Sequence, residues 1–276
     1  MATTASFTAG SAGERHSVSI AYERTGSGEP LLLLHGIGHH RQAWDPVLRI
    51  LAAERDVIAL DLPGFGASPG LPDGLPYDLA TVAPVLGAFC EEIGVGQPHV
   101  AGNSLGGLLA LELGRLKLVR SVTALSPAGF WTQGERRYAF STLRAMRRAA
   151  LSMPAPLIQR LSTRAVGRAA LTSTIYARPG RRSPEAVVAE TFALREATGF
   201  HQTLAVGRSV AFTDDVPGLP VTIAWGSQDR LLLRRQGIRA KQTIPGARLV
   251  RLPGCGHVPM NDDPAAVARV ILDTSR

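Results

Sequence analysis

Short runs of consecutive apolar residues alternate along most of the chain with longer stretches whose apolar positions have helical spacing. The short runs are typical of parallel strands buried on both faces, and the longer stretches are typical of helices packed against a sheet. Strands are predicted at Val18–Tyr22, Leu31–Leu34, Asp56–Leu60, His99–Ala101, Val119–Leu125, Val221–Trp225 and Ala247–Leu252, and helices at Trp44–Glu54, Leu79–Ile93, Leu105–Leu116 and Pro264–Asp273.

This alternation predicts an α/β fold: a mostly parallel central sheet with helices on both faces. The alternation of strand and helix patterns is interrupted between about Phe130 and Thr213, where helical patterns and prolines occur without a convincing buried strand. We therefore predict a core made of residues 1–129 and 214–276. Residues 130–213 are predicted to be a helical cap, or lid, inserted between two strands, and are called the cap segment below.

The composition of the chain is that of an ordinary globular protein. The 276 residues are 45% hydrophobic and 19% charged, which suits one α/β domain with an insertion. No apolar run approaches the ~20 residues of a membrane helix, and the first residues lack the apolar stretch of a signal peptide. A cytoplasmic protein without a membrane span is expected. Oligomeric state has no signature in the sequence, and Cys90 and Cys255 are predicted to be unpaired thiols.

Positive charge is concentrated in the cap segment. The whole chain carries +8, with 28 arginines and 2 lysines among its bases, and the cap segment has 13 arginines against 4 glutamates, an excess of nine. No basic run is interleaved with aromatic residues, so no nucleic-acid binding is predicted. The arginines form either a solvated face that favours solubility or a clamp for a carboxylate or phosphate at the mouth of a pocket. The candidates for such a clamp are Arg136, Arg137, Arg144, Arg147 and Arg148.

Gly102-Asn103-Ser104-Leu105-Gly106 matches the pattern G-x-S-x-G. It follows a predicted strand and precedes a predicted helix, which is the context of a nucleophile elbow. Glycines are needed there because the turn is sharp and the flanking backbones pack closely. A serine that only caps the helix is the simpler alternative, but the strand–turn–helix context favours Ser104 as a nucleophile.

A serine hydroxyl needs a base, and the base needs an acid that fixes its tautomer. His257 lies in a glycine-rich loop after the last predicted strand, and Asp229 follows the strand Val221–Trp225. The order Ser104, Asp229, His257 is that of α/β-hydrolases. Asp214 and Asp215 are rivals for the acid, but they precede the strand and so belong to the opposite edge of the sheet.

A tetrahedral intermediate needs backbone N–H donors for its oxyanion. Leu105 directly follows the proposed nucleophile and is one candidate. Ile37, in the loop His35-Gly36-Ile37-Gly38, is the other. The glycines allow the backbone to approach the substrate, and His35 is interpreted as a structural hydrogen-bonding residue rather than as a second base.

These motifs resemble the α/β-hydrolase superfamily. The resemblance covers roughly residues 18–129 and 220–275 and rests on HGIG, DLPGFGAS, GNSLGG and GSQD followed by GCGH. It implies the α/β-hydrolase fold, a serine nucleophile and no metal or organic cofactor. Haloalkane dehalogenases and epoxide hydrolases of this fold have an aspartate at the elbow, so the resemblance excludes their chemistry. Adjacent His39 and His40 lack the spacing of two metal ligands on one helix face.

A small-molecule carboxylic ester is the expected substrate, cleaved through an acyl-enzyme. The elbow and the DLPGFGAS loop also resemble those of carbon–carbon bond hydrolases that act on ring-fission products. Those enzymes usually have His-Gly-x-Gly-Pro at the oxyanion loop and a tryptophan after the catalytic histidine, whereas this chain has His39 and Val258. A non-enzymatic small-molecule receptor on the same fold is a third possibility. Substrate contacts are expected at Gly36, Phe130, Trp131 and Val258.

Overall fold

The computed structural model describes residues 3–10 and 15–276, and a sheet runs through the centre of this part of the chain. The strands are β1 Thr3–Ala9, β2 His16–Gly26, β3 Pro30–Leu34, β4 Asp56–Leu60, β5 His99–Asn103, β6 Ser121–Leu125, β7 Val221–Gly226 and β8 Arg248–Leu252. Their order in the sheet is β1-β2-β4-β3-β5-β6-β7-β8. β1 and β2 pair antiparallel with their neighbours, and β3 to β8 pair parallel.

The leucine run of β3 shows why an unbroken apolar sequence forms a strand here. Leu31 and Leu33 pack into the hydrophobic core on one face of the sheet, and Leu32 and Leu34 pack into the core on the other. Successive side chains of a strand point to opposite faces. Because both faces of β3 are covered, every second position does not have to be polar.

The helices are α1 Asp45–Leu51, α2 Leu79–Glu92, α3 Leu105–Arg115, α4 Gln133–Ser152, α5 Ala155–Ser162, α6 Ala165–Thr172, α7 Pro184–Glu196, α8 Phe200–Val206, α9 Arg235–Thr243, α10 Pro259–Asp262 and α11 Pro264–Thr274. Buried residues of α2, α3 and α9 belong to one core, and those of α1 and α11 belong to the core on the opposite face. The predicted α/β-hydrolase fold, with helices on both faces of a mostly parallel sheet, is confirmed.

The cap segment contains α4 to α8 and lies between β6 and β7. Its longest helix, α4, begins with a capping box in which Thr132 and Glu135 exchange side-chain and backbone hydrogen bonds. Such a box satisfies N–H groups that the first helical turn leaves without partners. Within the described residues, no helix has both the length and the hydropathy needed to cross a membrane.

The amino-terminal strand β1 is an element that the sequence pattern did not predict. β1 pairs with β2 from Thr3 opposite Tyr22 to Ala9 opposite His16. Only Phe7 and Ala9 of β1 are buried, because β1 is the edge strand. The strand predicted at Val18–Tyr22 is longer, and the helix predicted at Trp44–Glu54 is α1, which follows a 3₁₀ turn at Arg41–Trp44 and ends at Leu51.

Candidate functional site

Ser104 lies at the sharp turn between β5 and α3. Its backbone has φ 56° and ψ −113°, a conformation that is costly for a residue with a Cβ. The Ser104 N–H donates to Leu125 O at 3.0 Å, and the Ser104 carbonyl accepts from Leu108 N and Ala128 N. These bonds to β6, to α3 and to the loop after β6 hold the strained residue in place. The side chain is thereby kept at the carboxyl edge of the parallel strands.

Two glycines make this turn possible because the neighbouring backbone leaves no room for a side chain. A Cβ on Gly106 would lie 2.2 Å from Leu34 O, and a Cβ on Gly102 would lie 2.0 Å from Gly106 O. The first contact places the start of α3 directly against β3. The glycine pattern in the sequence therefore reflects close backbone packing on both sides of Ser104.

His257 and Asp229 form a buried hydrogen-bonded pair. His257 Nδ1 lies 2.8 Å from Asp229 Oδ2, and their side chains are 3% and 0% exposed. Asp229 Oδ1 accepts from the N–H groups of Leu231 and Leu232 at 2.9 and 2.8 Å. Because an ionised carboxylate only accepts, the proton of this pair is assigned to His257 Nδ1. His257 Nε2 is then the nitrogen with a free lone pair.

The rival carboxylates lie elsewhere. Asp214 and Asp215 precede β7, at the edge of the sheet opposite to Asp229, and both are exposed. Asp214 lies 3.7 Å from Arg115, and Asp215 accepts a hydrogen bond from Val216 N. Neither of these contacts involves His257.

The loop that carries His257 is tied to the core and to the cap segment. Asn103 Nδ2 donates to His257 O at 2.9 Å, so the residue before Ser104 also holds the backbone of His257. Buried Asp262 accepts from Gly256 N on one side and from Ala177 N and Arg178 N of the cap segment on the other. Backbone N–H groups from both regions therefore converge on one carboxylate.

The loop after β3 is held by His35. Its Nε2 accepts from Leu62 N at 2.9 Å, and its Nδ1 donates to Gly36 O at 2.8 Å. Burial lowers the pKa of His35 to about 4, so the ring is neutral at pH 7. Within the described residues the N–H of Ile37 has no hydrogen-bond partner. The preceding residue packs against the proposed nucleophile, since a Cβ on Gly36 would lie 3.2 Å from Ser104 Cβ.

Two cavities meet at Ser104. The first, of about 190 Å³, is lined by His257 and is called the His257 cavity. The second, of about 60 Å³, is mostly apolar, is lined by Trp131 and is called the Trp131 cavity. Ser104, Ile37, Leu143 and Leu231 line both.

Three of the four expected substrate contacts line these cavities. Gly36 and Val258 line the His257 cavity, and Trp131 lines the cavity named after it. Phe130 lines neither. It is 4% exposed, and its ring packs against Phe212 with the ring centroids 5.7 Å apart. Phe130 therefore belongs to the hydrophobic core beneath the site.

A buried polar cluster in the cap segment has no counterpart among the residues expected from the sequence. Glu190 of α7 lines the His257 cavity and is 6% exposed. Its Oε1 accepts from Tyr176 Oη at 2.9 Å and from Arg182 Nε at 2.6 Å. Burial raises the pKa of Glu190, while Arg182 and Tyr176 oppose that change. His39 lines the same cavity, and its Nε2 lies 3.4 Å from Tyr176 Oη.

The arginines that could clamp an anion do not line the two cavities. Arg147 Nη1 donates to Ala197 O at 2.6 Å, and its guanidinium lies over the Phe200 ring at 4.7 Å from the centroid. Arg137 and Arg148 are exposed, and Arg136 and Arg144 are half-buried. These side chains thus contact protein or solvent, and the solvated-face interpretation fits them better.

Neither cysteine is placed to act as a nucleophile. Cys90 and Cys255 are buried and unpaired. Burial raises the pKa of each thiol to about 12, and a thiol is reactive only as the thiolate. Among the described residues, no group of three or more His, Cys, Asp or Glu side chains is arranged to hold a metal ion.

Comparisons with known proteins agree with this architecture. The sequence profile of the alpha/beta hydrolase family matches residues 31–270. An uncharacterised protein of Mycobacterium tuberculosis is 29% identical over 273 residues, an alignment that covers 93% of this chain and 78% of that protein.

Solved structures share the fold over nearly the whole chain. A thermophilic esterase from Thermogutta terrifontis superposes with a TM-score of 0.75 at 20% identity and covers 99% of this chain and 97% of its own. A meta-cleavage product hydrolase from Pseudomonas fluorescens superposes with a TM-score of 0.73 at 19% identity and covers 93% of this chain and 94% of its own. At these identities the likeness concerns the fold alone.

Proposed function

Because this chain belongs to the alpha/beta hydrolase family, we propose that it is a serine hydrolase that cleaves carboxylic esters through Ser104, His257 and Asp229. One observation carries the proposal. The buried Asp229–His257 hydrogen bond orients a histidine that lines the same cavity as a strained, glycine-flanked serine. A nucleophile, a base and an orienting acid are the three roles that acyl transfer to serine requires.

The reaction proceeds in two halves. His257 Nε2 takes the Ser104 proton as Oγ attacks the ester carbonyl, and Asp229 stabilises the resulting imidazolium. Collapse of the tetrahedral intermediate breaks the carbon–oxygen bond, and the imidazolium gives its proton to the leaving alkoxide. Water then attacks the acyl-enzyme with His257 again as base. This second attack releases the acid and restores the Ser104 hydroxyl.

The oxyanion is stabilised by the N–H groups of Leu105 and Ile37. Leu105 is the first residue of α3, so its N–H has no acceptor within the helix. The N–H of Ile37 is likewise unpaired within the described residues, and Ile37 lines both cavities together with Ser104. A donor of this kind contributes about 10²–10³ in kcat.

The two cavities are assigned to the two halves of the ester. The leaving alkoxide receives its proton from His257, so it must lie beside that ring. His257 lines the first cavity and is absent from the lining of the second. We assign the leaving alcohol to the His257 cavity and the acyl chain to the apolar Trp131 cavity, with the cap segment closing over both.

Carbon–carbon cleavage is less well supported. A dienoic ring-fission product carries a carboxylate, which is best held by arginine or lysine. The part of the chain that the structure describes places neither residue type on the lining of the His257 cavity. It places there Glu190, a carboxylate that would repel an anion.

The test is a profile of activity over p-nitrophenyl esters of increasing acyl length, run beside a dienoic ring-fission product. We expect turnover of the esters, with an optimum at a chain that fills the Trp131 cavity, and none above background in the Ser104→Ala protein. Faster turnover of the dienoic acid would replace this proposal with the carbon–carbon one. Only slow hydrolysis of every compound, with tight binding of one of them, would indicate a receptor.

A further inference from the structure

The lining of the His257 cavity includes a carboxylate that the proposed ester hydrolysis does not use. Glu190 lies there, on the cap segment, and one of its two oxygens is satisfied by Tyr176 and Arg182. The other, Oε2, is buried and has no hydrogen-bond partner within the described residues. A buried acceptor without a donor is destabilising, and more so when it is charged.

Two neighbouring hydroxyls of the cap segment do not supply the missing hydrogen bond. The hydroxyls of Thr172 and Thr191, which also line the cavity, donate to the carbonyls of Arg168 and Val187 one turn earlier in their own helices. Their protons are therefore already used. No described residue donates to Glu190 Oε2, so a ligand, or the water that it displaces, could supply this hydrogen bond.

The surroundings define what kind of donor would fit. Arg182 contacts Glu190 at 2.6 Å and is itself 7% exposed, so the carboxylate already has a buried counter-ion. A cationic ligand would add an uncompensated buried charge, and an anionic one would be repelled. An uncharged donor satisfies Oε2 without either cost, and the hydroxyl group is the simplest such donor that an ester substrate can carry.

We infer that Glu190 Oε2 accepts a hydrogen bond from a hydroxyl group on the leaving-alcohol half of the substrate. The preferred substrates are then esters of alcohols that carry a second, uncharged hydroxyl. The inference rests on the proposed function, because that function assigns the leaving alcohol to the His257 cavity. Glu190 thus acts as a specificity-determining residue and takes no part in bond cleavage.

The test compares esters of one acid with alcohols that end in a hydroxyl or in the corresponding methyl ether, over a series of chain lengths. Methylation removes the donor and keeps the oxygen. At the best length, we expect the wild-type kcat/KM to favour the hydroxyl by about 10- to 100-fold, as expected for one hydrogen bond to a charged group. Equal rates for the two esters at every length would overturn the inference.

Glu190→Gln is the discriminating variant. The amide oxygen can keep the contacts to Arg182 and Tyr176, which turns the N–H₂ group toward the cavity. That group donates equally well to a hydroxyl and to an ether, so the ratio of the two kcat/KM values should fall to within about threefold. Glu185→Gln is the matched control, since Glu185 lies on the same helix and is exposed. It should keep the wild-type ratio, and a Glu190→Gln protein that also kept it would contradict the inference.

Binding to Ser104→Ala protein separates this inference from the proposed function. Calorimetric Kd values for the two esters need no turnover, and thermal melts show that each variant is folded. A hydroxyl preference in Kd that Glu190→Gln removes, with no hydrolysis by wild type, would keep the role of Glu190 and reject ester cleavage. Hydrolysis with no such preference in Kd would do the reverse, and binding of neither ester would reject the role of Glu190.

Discussion

The carboxylates on the core side and on the cap side of the His257 cavity differ in how many of their oxygens have hydrogen-bond partners. On the core side, Asp229 accepts hydrogen bonds from His257, Leu231 and Leu232, and both of its oxygens are used. On the cap side, Glu190 uses one oxygen fully and leaves the other without a partner. The core side is complete before a ligand arrives, and the cap side is not. A fully satisfied polar network is rigid, whereas an unpaired buried acceptor is costly until a donor reaches it.

Removal of the proposed nucleophile is the strongest test of the core side. Ser104→Ala should lower kcat by roughly 10⁴–10⁶, since only binding and the oxyanion donors remain. The measurement is steady-state turnover of the best p-nitrophenyl ester by protein whose melting temperature matches wild type. A serine-directed phosphonate should label wild type only, with the adduct mapped to Ser104. Retention of more than a few per cent of the turnover would show that the chemistry lies elsewhere.

Replacement of the proposed orienting acid is expected to have the second-largest effect. Asp229→Asn should lower kcat by roughly 10³–10⁴, because the amide favours the wrong imidazole tautomer of His257. Asp215→Asn is the matched control at an exposed position before β7, and it should be nearly silent, as should Asp214→Asn. Equal losses in the Asp229 and Asp215 variants would mean that the acid has been assigned to the wrong residue.

Acid should destabilise the core side through His35. Burial lowers the pKa of this ring from 6.5 to about 4 in the folded protein. Below pH 6.5 the His35 ring therefore binds a proton in the unfolded chain but not in the folded chain. The stabilising contribution is present above pH 6.5 and is lost as the pH falls toward 4, in total on the order of 3 kcal/mol.

Urea unfolding between neutral and acidic pH measures this loss. The free energy of unfolding should depend less on pH in His35→Gln than in wild type, even if the variant is less stable at neutral pH. His201→Gln, at an exposed position, is the matched control. An unchanged pH dependence in His35→Gln would show that other groups cause the acid sensitivity.

The smallest effect is expected from the arginines of the cap segment. Because Arg144 and Arg148 do not line the cavities, their replacement by Gln should change the ratio of kcat/KM for a monosuccinate ester and its neutral methyl diester by less than about twofold. The ratio is compared from low salt to about 0.5 M, where surface attraction is screened. A salt-sensitive preference for the anionic ester, lost in these variants, would restore the clamp interpretation.

Sequence patterns point to the residues of the core side because strand, turn and helix signals mark their positions. A serine between two glycines, after a strand and before a helix, already implies the turn at Ser104. The order of Ser104, Asp229 and His257 along the chain places all three after parallel strands, whose carboxyl ends share one edge of the sheet. The sequence thus predicts a common edge for these residues. The structure adds the Asp229–His257 hydrogen bond and a cavity that Ser104 and His257 both line.

The cap side could not be predicted in the same way. Glu185, Glu190 and Glu196 all lie in the helix α7, and nothing in the local sequence distinguishes Glu190 from the other two. Its burial depends on Tyr176 and Arg182, which approach it from outside α7. Phe130 was predicted to contact the substrate, and there too the local sequence was insufficient. An aromatic residue at the start of the cap segment suggests a pocket wall, but its contact with distant Phe212 places it in the core.

The contacts of Asp262 bear on how this protein could be recombined with its relatives. Two backbone N–H groups of the cap segment and one beside His257 share this carboxylate, and Val258 N donates to Ile175 O at 3.0 Å. A foreign cap grafted onto the core would therefore have to supply the equivalent of residues 175–178, or the base would lose its support. The helices α4 and α5 donate no hydrogen bond to the Asp262 carboxylate. The boundary along which substrate pockets can be exchanged thus lies inside the cap segment and not at its ends.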